Sequence, residues 1–142
     1  MEYMQRVPKT ELARKTRQVI REVQRGYTVL VESHGQAEVA IMDIVDYRIL
    51  RAFMAYHARP PQVNPKGISA ERLAGMDDPQ QVYDLVLAHY LAGVISLGRV
   101  AELLNLSVLD LQFRFQRLDV PLNLGVENEQ AALDEVEAAR SF

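Results

Sequence analysis

Four arginines near the start of the chain have the spacing that brings cations onto one face of a helix. They are Arg14, Arg17, Arg21 and Arg25, at i, i+3, i+7 and i+11. Because an α-helix turns by about 100° per residue, these side chains point away from Leu12, Val19 and Val23. A row of guanidinium groups suits the phosphates of nucleic acid. The alternative is a basic face that is only solvated.

Residue types that carry catalysis are scattered or absent. The histidines His34, His57 and His89 are far apart and have no metal-ligand spacing. The chain has no cysteine, which excludes thiolate metal sites, cysteine nucleophiles and disulfides. Asp43 and Asp46, like Asp77 and Asp78, stand at predicted helix starts, where capping accounts for them. With no glycine-rich phosphate loop or nucleophile elbow either, we expect no enzyme activity, catalytic residue, metal site or cofactor.

Charge is distributed unevenly along a chain whose net charge is -3. Residues 1–25 carry seven cations and three anions, whereas residues 126–142 carry five anions and one cation, Arg140. The two ends are therefore expected to contact different partners. The chain shows no secretory-signal pattern and no apolar run long enough for a bilayer, so we expect a cytoplasmic protein without membrane contact.

The first half of the chain predicts a short strand at residues 3–7, then a helix that Thr10 caps and Gly26 ends. Apolar positions in this helix recur at helical spacing, which predicts a buried face. They are Leu12, Thr16, Val19, Ile20 and Val23. The arginine stripe is expected on the opposite, exposed face of the same helix.

Residues 27–33 and 36–42 predict a β-hairpin, because β-branched residues are frequent in the strands and His34-Gly35 between them is a turn pair. Asp43 then caps a second helix, with Asp46 in its first turn. A single hairpin with two helices has too little core to bury its apolar faces alone. We therefore expect this half to form a homodimer.

Residues 59–67 hold three prolines and a glycine and predict a semi-rigid linker. The predicted domains are residues 1–58 before the linker and residues 68–125 after it, followed by an acidic tail at residues 126–142. The second domain reads as helical throughout. Its helices are predicted at residues 79–92, 97–104 and 108–118, with caps at Asp78, Ser96 and Ser107. The predicted fold class is α+β, with a small α/β unit followed by an all-α unit of helix-turn-helix spacing.

The last of these helices carries apolar residues on two sides. Its core face is expected to contain Val108, Leu111, Phe115 and Leu118. Leu109 and Phe113 would then face outward, which suits a protein partner better than the edges of DNA bases. The alternative is that residues 82–92 or the tail bury both side chains. The candidate partner-binding residues are Leu109, Phe113, Arg114, Arg117 and Arg140.

The order and spacing of residues in the first half resemble the Phd/YefM antitoxin fold over residues 1–58. The resemblance is carried by Glu11-Leu12, Ile20, Val23, Gly26, Val29-Leu30-Val31, Gly35, Val39-Ala40-Ile41, Asp46-Tyr47 and Leu50. It implies a dimer that sets basic residues of its first helix against operator DNA, and a toxin-binding region after it. The implied DNA-binding residues are Arg6, Lys9, Arg14, Arg17 and Arg21. Ala13 and Glu32 stand where family members often carry arginine, so phosphate contact is expected in place of base readout.

The second half resembles a small uncharacterised helical family that is often encoded beside PIN-domain toxin genes. The residues that carry this resemblance are the stretch 90–107 and Val120-Pro121-Leu122-Asn123. It covers residues 80–125 and implies a PIN-type ribonuclease as partner. Arg140 could displace the metal ion of such a site, whereas a toxin with a basic groove would bind the carboxylates of the tail.

The expected function is that of an antitoxin that neutralises a cognate toxin and represses its own operon. Two alternatives remain at the level of sequence. One is a transcriptional regulator with two DNA-binding units and no toxin partner. The other is an interaction scaffold that does not bind DNA and whose basic helix is merely solvated.

Overall fold

The computed structural model describes residues 4–122, which form a three-stranded sheet and six α-helices. The strands are β1 (Met4–Pro8), β2 (Thr28–Ser33) and β3 (Gln36–Ile41). The helices are α1 (Thr16–Gln24), α2 (Ile44–Ala58), α3 (Ala70–Ala74), α4 (Pro79–Leu91), α5 (Leu97–Leu104) and α6 (Val108–Arg117). The predicted α+β fold class is confirmed. Within the described range, none of these helices has the length and apolar character that crossing a membrane requires.

The chain forms two compact units, one that ends at Tyr47 and one that begins at Arg48. The first unit contains the sheet and α1, and the second contains most of α2 together with the four helices that follow. The predicted domain limits at residues 58 and 68 and the predicted linker between them stay predictions.

The sheet of the first unit has the strand order β1-β2-β3. β1 runs parallel to β2, which the crossover through α1 makes possible, and β2 runs antiparallel to β3. His34 and Gly35 make the hairpin turn with positive φ angles of 53° and 75°, as a tight two-residue hairpin requires. The predicted hairpin and the predicted strand before the first helix are confirmed.

One face of the sheet packs against α1. The buried residues of this core are Val7, Val19, Val23, Val29 and Val31, and the partly buried Leu12 and Ile41 pack against them. Thr16 and Ile20 do not join this core, and Ile20 is 50% exposed. The prediction that both are buried is wrong, because a helix of nine residues contacts the sheet through one narrow stripe, here Val19 and Val23.

The first helix begins later than the sequence predicts. Lys9–Glu11 form a single 3-10 turn, further turns follow, and α1 begins only at Thr16. Lys15 precedes α1 with φ -103° and ψ 16°, outside helical geometry, and no side chain caps either element. The predicted cap at Thr10 is therefore wrong. Apolar spacing could not reveal the break, since a turn followed by a helix keeps the same residues on one side.

Helices α2, α4, α5 and α6 begin at the predicted caps. Asp43, Asp78, Ser96 and Ser107 each accept a hydrogen bond from a backbone N–H two or three residues further on. Caps of this kind stabilise a helix by about 1 kcal/mol each. Helix α3, which Ser69 caps through the N–H of Arg72 at 3.3 Å, was not predicted. Its five residues are too few to show a helical period.

The core of the second unit lies between α4, α5 and α6. Its buried apolar residues include Leu87, Tyr90, Val100, Leu111 and Phe115. The ring centroids of Tyr90 and Phe115 are 5.5 Å apart, and the Tyr90 hydroxyl donates to the Pro121 carbonyl at 3.0 Å. Leu111 and Phe115 occupy the predicted core face of α6, but Val108 is 43% exposed. Its predicted burial is wrong, because it opens α6 at the turn, ahead of the packed part of the helix.

His89 is completely buried on α4. Its Nδ1 lies 2.7 Å from the Leu85 carbonyl oxygen, and its Nε2 accepts a hydrogen bond from the Asn64 N–H at 3.0 Å. This pattern requires the neutral ring with its proton on Nδ1. The His89 side chain therefore attaches the loop that precedes α3 to helix α4.

Replacing His89 with leucine should destabilise the protein, because the Asn64 N–H would lose its partner while the volume of the side chain is nearly kept. We expect the free energy of unfolding to fall by about 1–3 kcal/mol. His57→Leu, on the exposed part of α2, is the control and should stay within about 0.5 kcal/mol of the original protein. Urea unfolding measures both. Equal effects of the two changes would rule out the anchoring role of His89.

Candidate nucleic-acid and protein interfaces

Three of the five candidate DNA-binding residues form ion pairs inside the first unit. Arg6 pairs with Glu32 of β2, Lys9 with Glu38 of β3 at 3.3 Å, and Arg14 with Glu11 at 3.5 Å. The three cationic side chains remain between 62% and 75% exposed. Exposed pairs of this kind are worth about 0–1 kcal/mol, so a phosphate can compete for these cations.

Arg17 and Arg21 differ from these three. Both are exposed on α1, one turn apart, and neither forms an ion pair with any residue in the range 4–122. Their side chains lie opposite Val19 and Val23, which contact the sheet. The structure thus brings Arg17 and Arg21 together on an exposed helix face. Arg14 stands in the turn before α1, and Arg25, just after α1, pairs with Glu22 at 3.6 Å.

Glu11 reduces the positive charge of the turn that precedes α1. A hydrogen bond from Lys15 at 2.7 Å and the charge of Lys15 lower the pKa of Glu11, and Arg14 adds to the effect. Glu11 is therefore ionised at neutral pH. The stabilisation from these pairs is present above the ordinary pKa of a glutamate and is lost as the pH falls through the lowered pKa. At neutral pH, the negative charge of Glu11 therefore offsets part of the positive charge of Lys15 and Arg14.

The outer face of α6 carries two large apolar side chains at helical spacing i and i+4. Leu109 is 61% exposed and Phe113 is 55% exposed, while Leu111 and Phe115 on the other side of the helix are completely buried. The predicted outward direction of Leu109 and Phe113 agrees with the structure, and the alternative that residues 82–92 bury them is wrong. The other form of that alternative, burial by the tail, lies outside the described residues. Their role as partner contacts stays a prediction.

The arginines of α6 are less accessible than Leu109 and Phe113. The Arg114 side chain is 15% exposed, and its Nε donates to Asp110 at 3.0 Å along the same helix. Arg117 in the last turn is half-buried and also has a partner. Contact with a protein partner through α6 would therefore depend first on the apolar pair. Arg140 and the acidic tail at 126–142 lie outside the described residues.

Sequence reasoning missed two groups of exposed residues. One is apolar and belongs to the first unit: Met4, Ile20, Val39, Ile44 and Tyr47, each at least 42% exposed. The other is a set of cations that line one cleft of the second unit, the exposed Lys66 and Arg72 and the half-buried Arg99. A signal for the second group was the turn sequence from Asn64 to Gly67, which fixes the position of Lys66.

Comparison with known proteins gives one limited similarity. The chain is similar to a UPF0175 protein of Archaeoglobus fulgidus, with 38% identity over 47 residues, which is 33% of this chain and 54% of that relative. The chain thus spans about half the length of the curated relative it matches. No protein-family model matches the chain, and no solved structure does. The finding established by these comparisons is a similarity between one third of the chain and a UPF0175 protein.

Proposed function

We propose that the protein is the antitoxin of a type II toxin–antitoxin system and not an enzyme. In this proposal it neutralises a cognate toxin through its second unit and represses its own operon through its first. The toxin is a PIN-type ribonuclease, as the resemblance of residues 80–125 implies. The protein acts as a cytoplasmic homodimer of the Phd/YefM kind.

The observation that carries the toxin-binding part is the exposure of Leu109 and Phe113 on α6. Both lie on a helix whose opposite face is fully packed, so the outward side chains are not needed for the core. Interface centres use apolar and aromatic side chains that lose their water on binding. A pair at i and i+4 presents one continuous apolar surface to a partner.

The DNA-binding part rests on Arg17 and Arg21. Cations on an exposed helix face contact phosphates, and they release counterions from the DNA when they do so. Because neither residue is paired within the described chain, no carboxylate has to be displaced first. Arg6, Lys9 and Arg14 would add contacts after exchanging their carboxylate partners for phosphates.

Homodimer formation should be visible in sedimentation equilibrium of the full chain. The first unit exposes five large apolar side chains beside a small core of valines, and a second copy is the surface we expect to cover them. We predict a dimer at low micromolar concentration. Replacing Val39, which is 54% exposed, with lysine should shift the chain toward the monomer, whereas Val108→Lys, on α6 and 43% exposed, should not. An original chain that sediments as a monomer would exclude this assembly.

One observation favours a second candidate function, a transcriptional regulator without a toxin. Helices α5 and α6 are joined by a three-residue turn that starts at Asn105 with φ 57°, which is helix-turn-helix spacing. In that function α6 would contact DNA. The exposed Leu109 and Phe113 argue against it, because base edges require polar groups.

Repression of its own promoter is a direct test of the regulatory half of the proposal. A reporter gene placed behind the upstream region of the operon should be repressed by the original chain. The Arg17→Ala/Arg21→Ala variant should fail to repress it, so the reporter is expressed. Leu109→Ala/Phe113→Ala should repress as well as the original chain. Loss of repression in the Leu109→Ala/Phe113→Ala variant, with repression kept in the Arg17→Ala/Arg21→Ala variant, would favour the regulator without a toxin. No repression by any form would refute the regulatory half.

A further inference from the structure

A cleft of about 330 Å³ in the second unit is lined by cations that the proposed function does not use. Lys66, Arg72 and Arg99 line it together with Asn64, Gly67 and Ser69. No aspartate or glutamate is among the lining residues. Three like charges around one cleft repel each other, and a bound anion would relieve that repulsion.

Lys66 is held in place by a turn that is itself anchored. The Gly67 N–H donates to the Asn64 carbonyl at 2.9 Å, and the Lys66 N–H donates to Asn64 Oδ1 at 3.0 Å. Gly67 has a φ of 92°, a conformation that side-chain-bearing residues rarely adopt. Asn64 in turn donates its N–H to the buried ring of His89. The backbone position of Lys66 is thus fixed through His89 of α4.

Arg99 is also held in place. One Nη donates to the Ile68 carbonyl at 3.2 Å, and the other contacts Glu102 at 2.9 Å. A guanidinium group has five N–H donors, so these two contacts leave donors for a ligand in the cleft. Arg72 extends from α3 and has no ion pair within residues 4–122. Glu102 is therefore the one carboxylate in this range that offsets the three cations by a direct ion pair.

We propose that this cleft binds a phosphate group of a nucleic-acid backbone. A phosphate offers several acceptor oxygens, which two guanidinium groups and an ammonium group can contact together. A single carboxylate of a protein partner has only two oxygens and would match this set less well. The inference goes beyond the proposed function, which assigns nucleic-acid contact to the first unit alone.

The site is tested first with inorganic phosphate and the full ¹⁵N-labelled chain. Phosphate should shift the amide signals of Gly67, Ser69 and Arg72, and the shifts should disappear in Lys66→Ala/Arg72→Ala. The control is Arg51→Ala/Arg59→Ala, which removes the same charge from two exposed residues outside the cleft. Signals that do not move, or that move equally in the cleft variant, would overturn the site. Equal shifts with sodium acetate would also overturn it, in favour of a carboxylate ligand.

The source of the phosphate is tested with an operator duplex, by measuring affinity against salt concentration. Loss of one phosphate contact should reduce the log–log slope by about 0.9 in the cleft variant and leave it unchanged in the control. A phosphate-dependent shift with an unchanged slope would overturn the nucleic-acid assignment in favour of free phosphate. Phosphate binding in the cleft does not depend on α1, so the Arg17→Ala/Arg21→Ala variant should show the same phosphate-induced amide shifts as the original chain. If that variant loses DNA binding but keeps the phosphate-induced shifts, the result bears on the proposed function and not on the cleft.

Discussion

Phe113→Ala is expected to weaken binding of the toxin by about 30-fold while the free energy of unfolding stays within about 0.5 kcal/mol of the original value. The ring is 55% exposed, so its removal creates no cavity. Lost toxin affinity would come from the contact itself, since buried aromatic anchors at interface centres contribute about 2 kcal/mol or more. Calorimetric titration of the purified pair measures the affinity, and urea unfolding measures the stability.

Phe115→Ala is the matched change, two residues along the same helix. Phe115 is completely buried against Tyr90, and its removal should lower the free energy of unfolding by about 3–5 kcal/mol. The contrast separates the two faces of α6. Toxin affinity that survives Phe113→Ala and Leu109→Ala together would place the docking surface elsewhere, whatever happens to stability.

Arg17→Ala/Arg21→Ala is expected to have the largest effect on operator binding of any pair of cations in the chain. Two lost phosphate contacts should reduce the slope of log affinity against log salt by about 1.8. Arg6, Lys9 and Arg14 contribute less because each already has a carboxylate partner in the first unit. Fluorescence anisotropy of a labelled duplex at several salt concentrations gives the slope.

The control for this pair is Arg114→Ala/Arg117→Ala in the second unit. Arg114 is mostly buried and bonded to Asp110, so its removal should leave the salt slope nearly unchanged. A larger loss of slope in the α6 variant than in the α1 variant would reverse the assignment and make α6, not α1, the main DNA-binding helix.

Local signals predicted most of the elements correctly. Caps such as Asp43 and Ser107 are set by a side chain and a backbone N–H two or three residues apart, and the hairpin turn at His34-Gly35 is equally local. The helical spacing of apolar residues in α6 was enough to place Leu111 inside and Phe113 outside.

What the sequence did not predict depends on contacts between distant residues. The burial of His89 follows from the loop at Asn64, which is 25 residues earlier in the chain. The exposure of Ile20 follows from the narrow contact of α1 with the sheet. The ion pair of Arg6 with Glu32 requires the parallel register of β1 and β2, which no local pattern specifies.

The same limit applies to the candidate sites. The arginine stripe could be read from spacing, but only the fold separates Arg17 and Arg21 from cations that already have partners. The cleft of Lys66, Arg72 and Arg99 gathers residues from a loop, α3 and α5, and their distances along the chain give no sign that they meet.

Growth of cells that express the toxin is the most direct test of the central claim, that this protein is an antitoxin acting through α6. The product of the gene adjoining this one should arrest growth when expressed alone. Co-expression of the full chain should restore growth, and the Leu109→Ala/Phe113→Ala variant, expressed at an equal level, should fail to do so. Arrest that persists with the original chain, or a neighbouring gene product that never arrests growth, would contradict the claim.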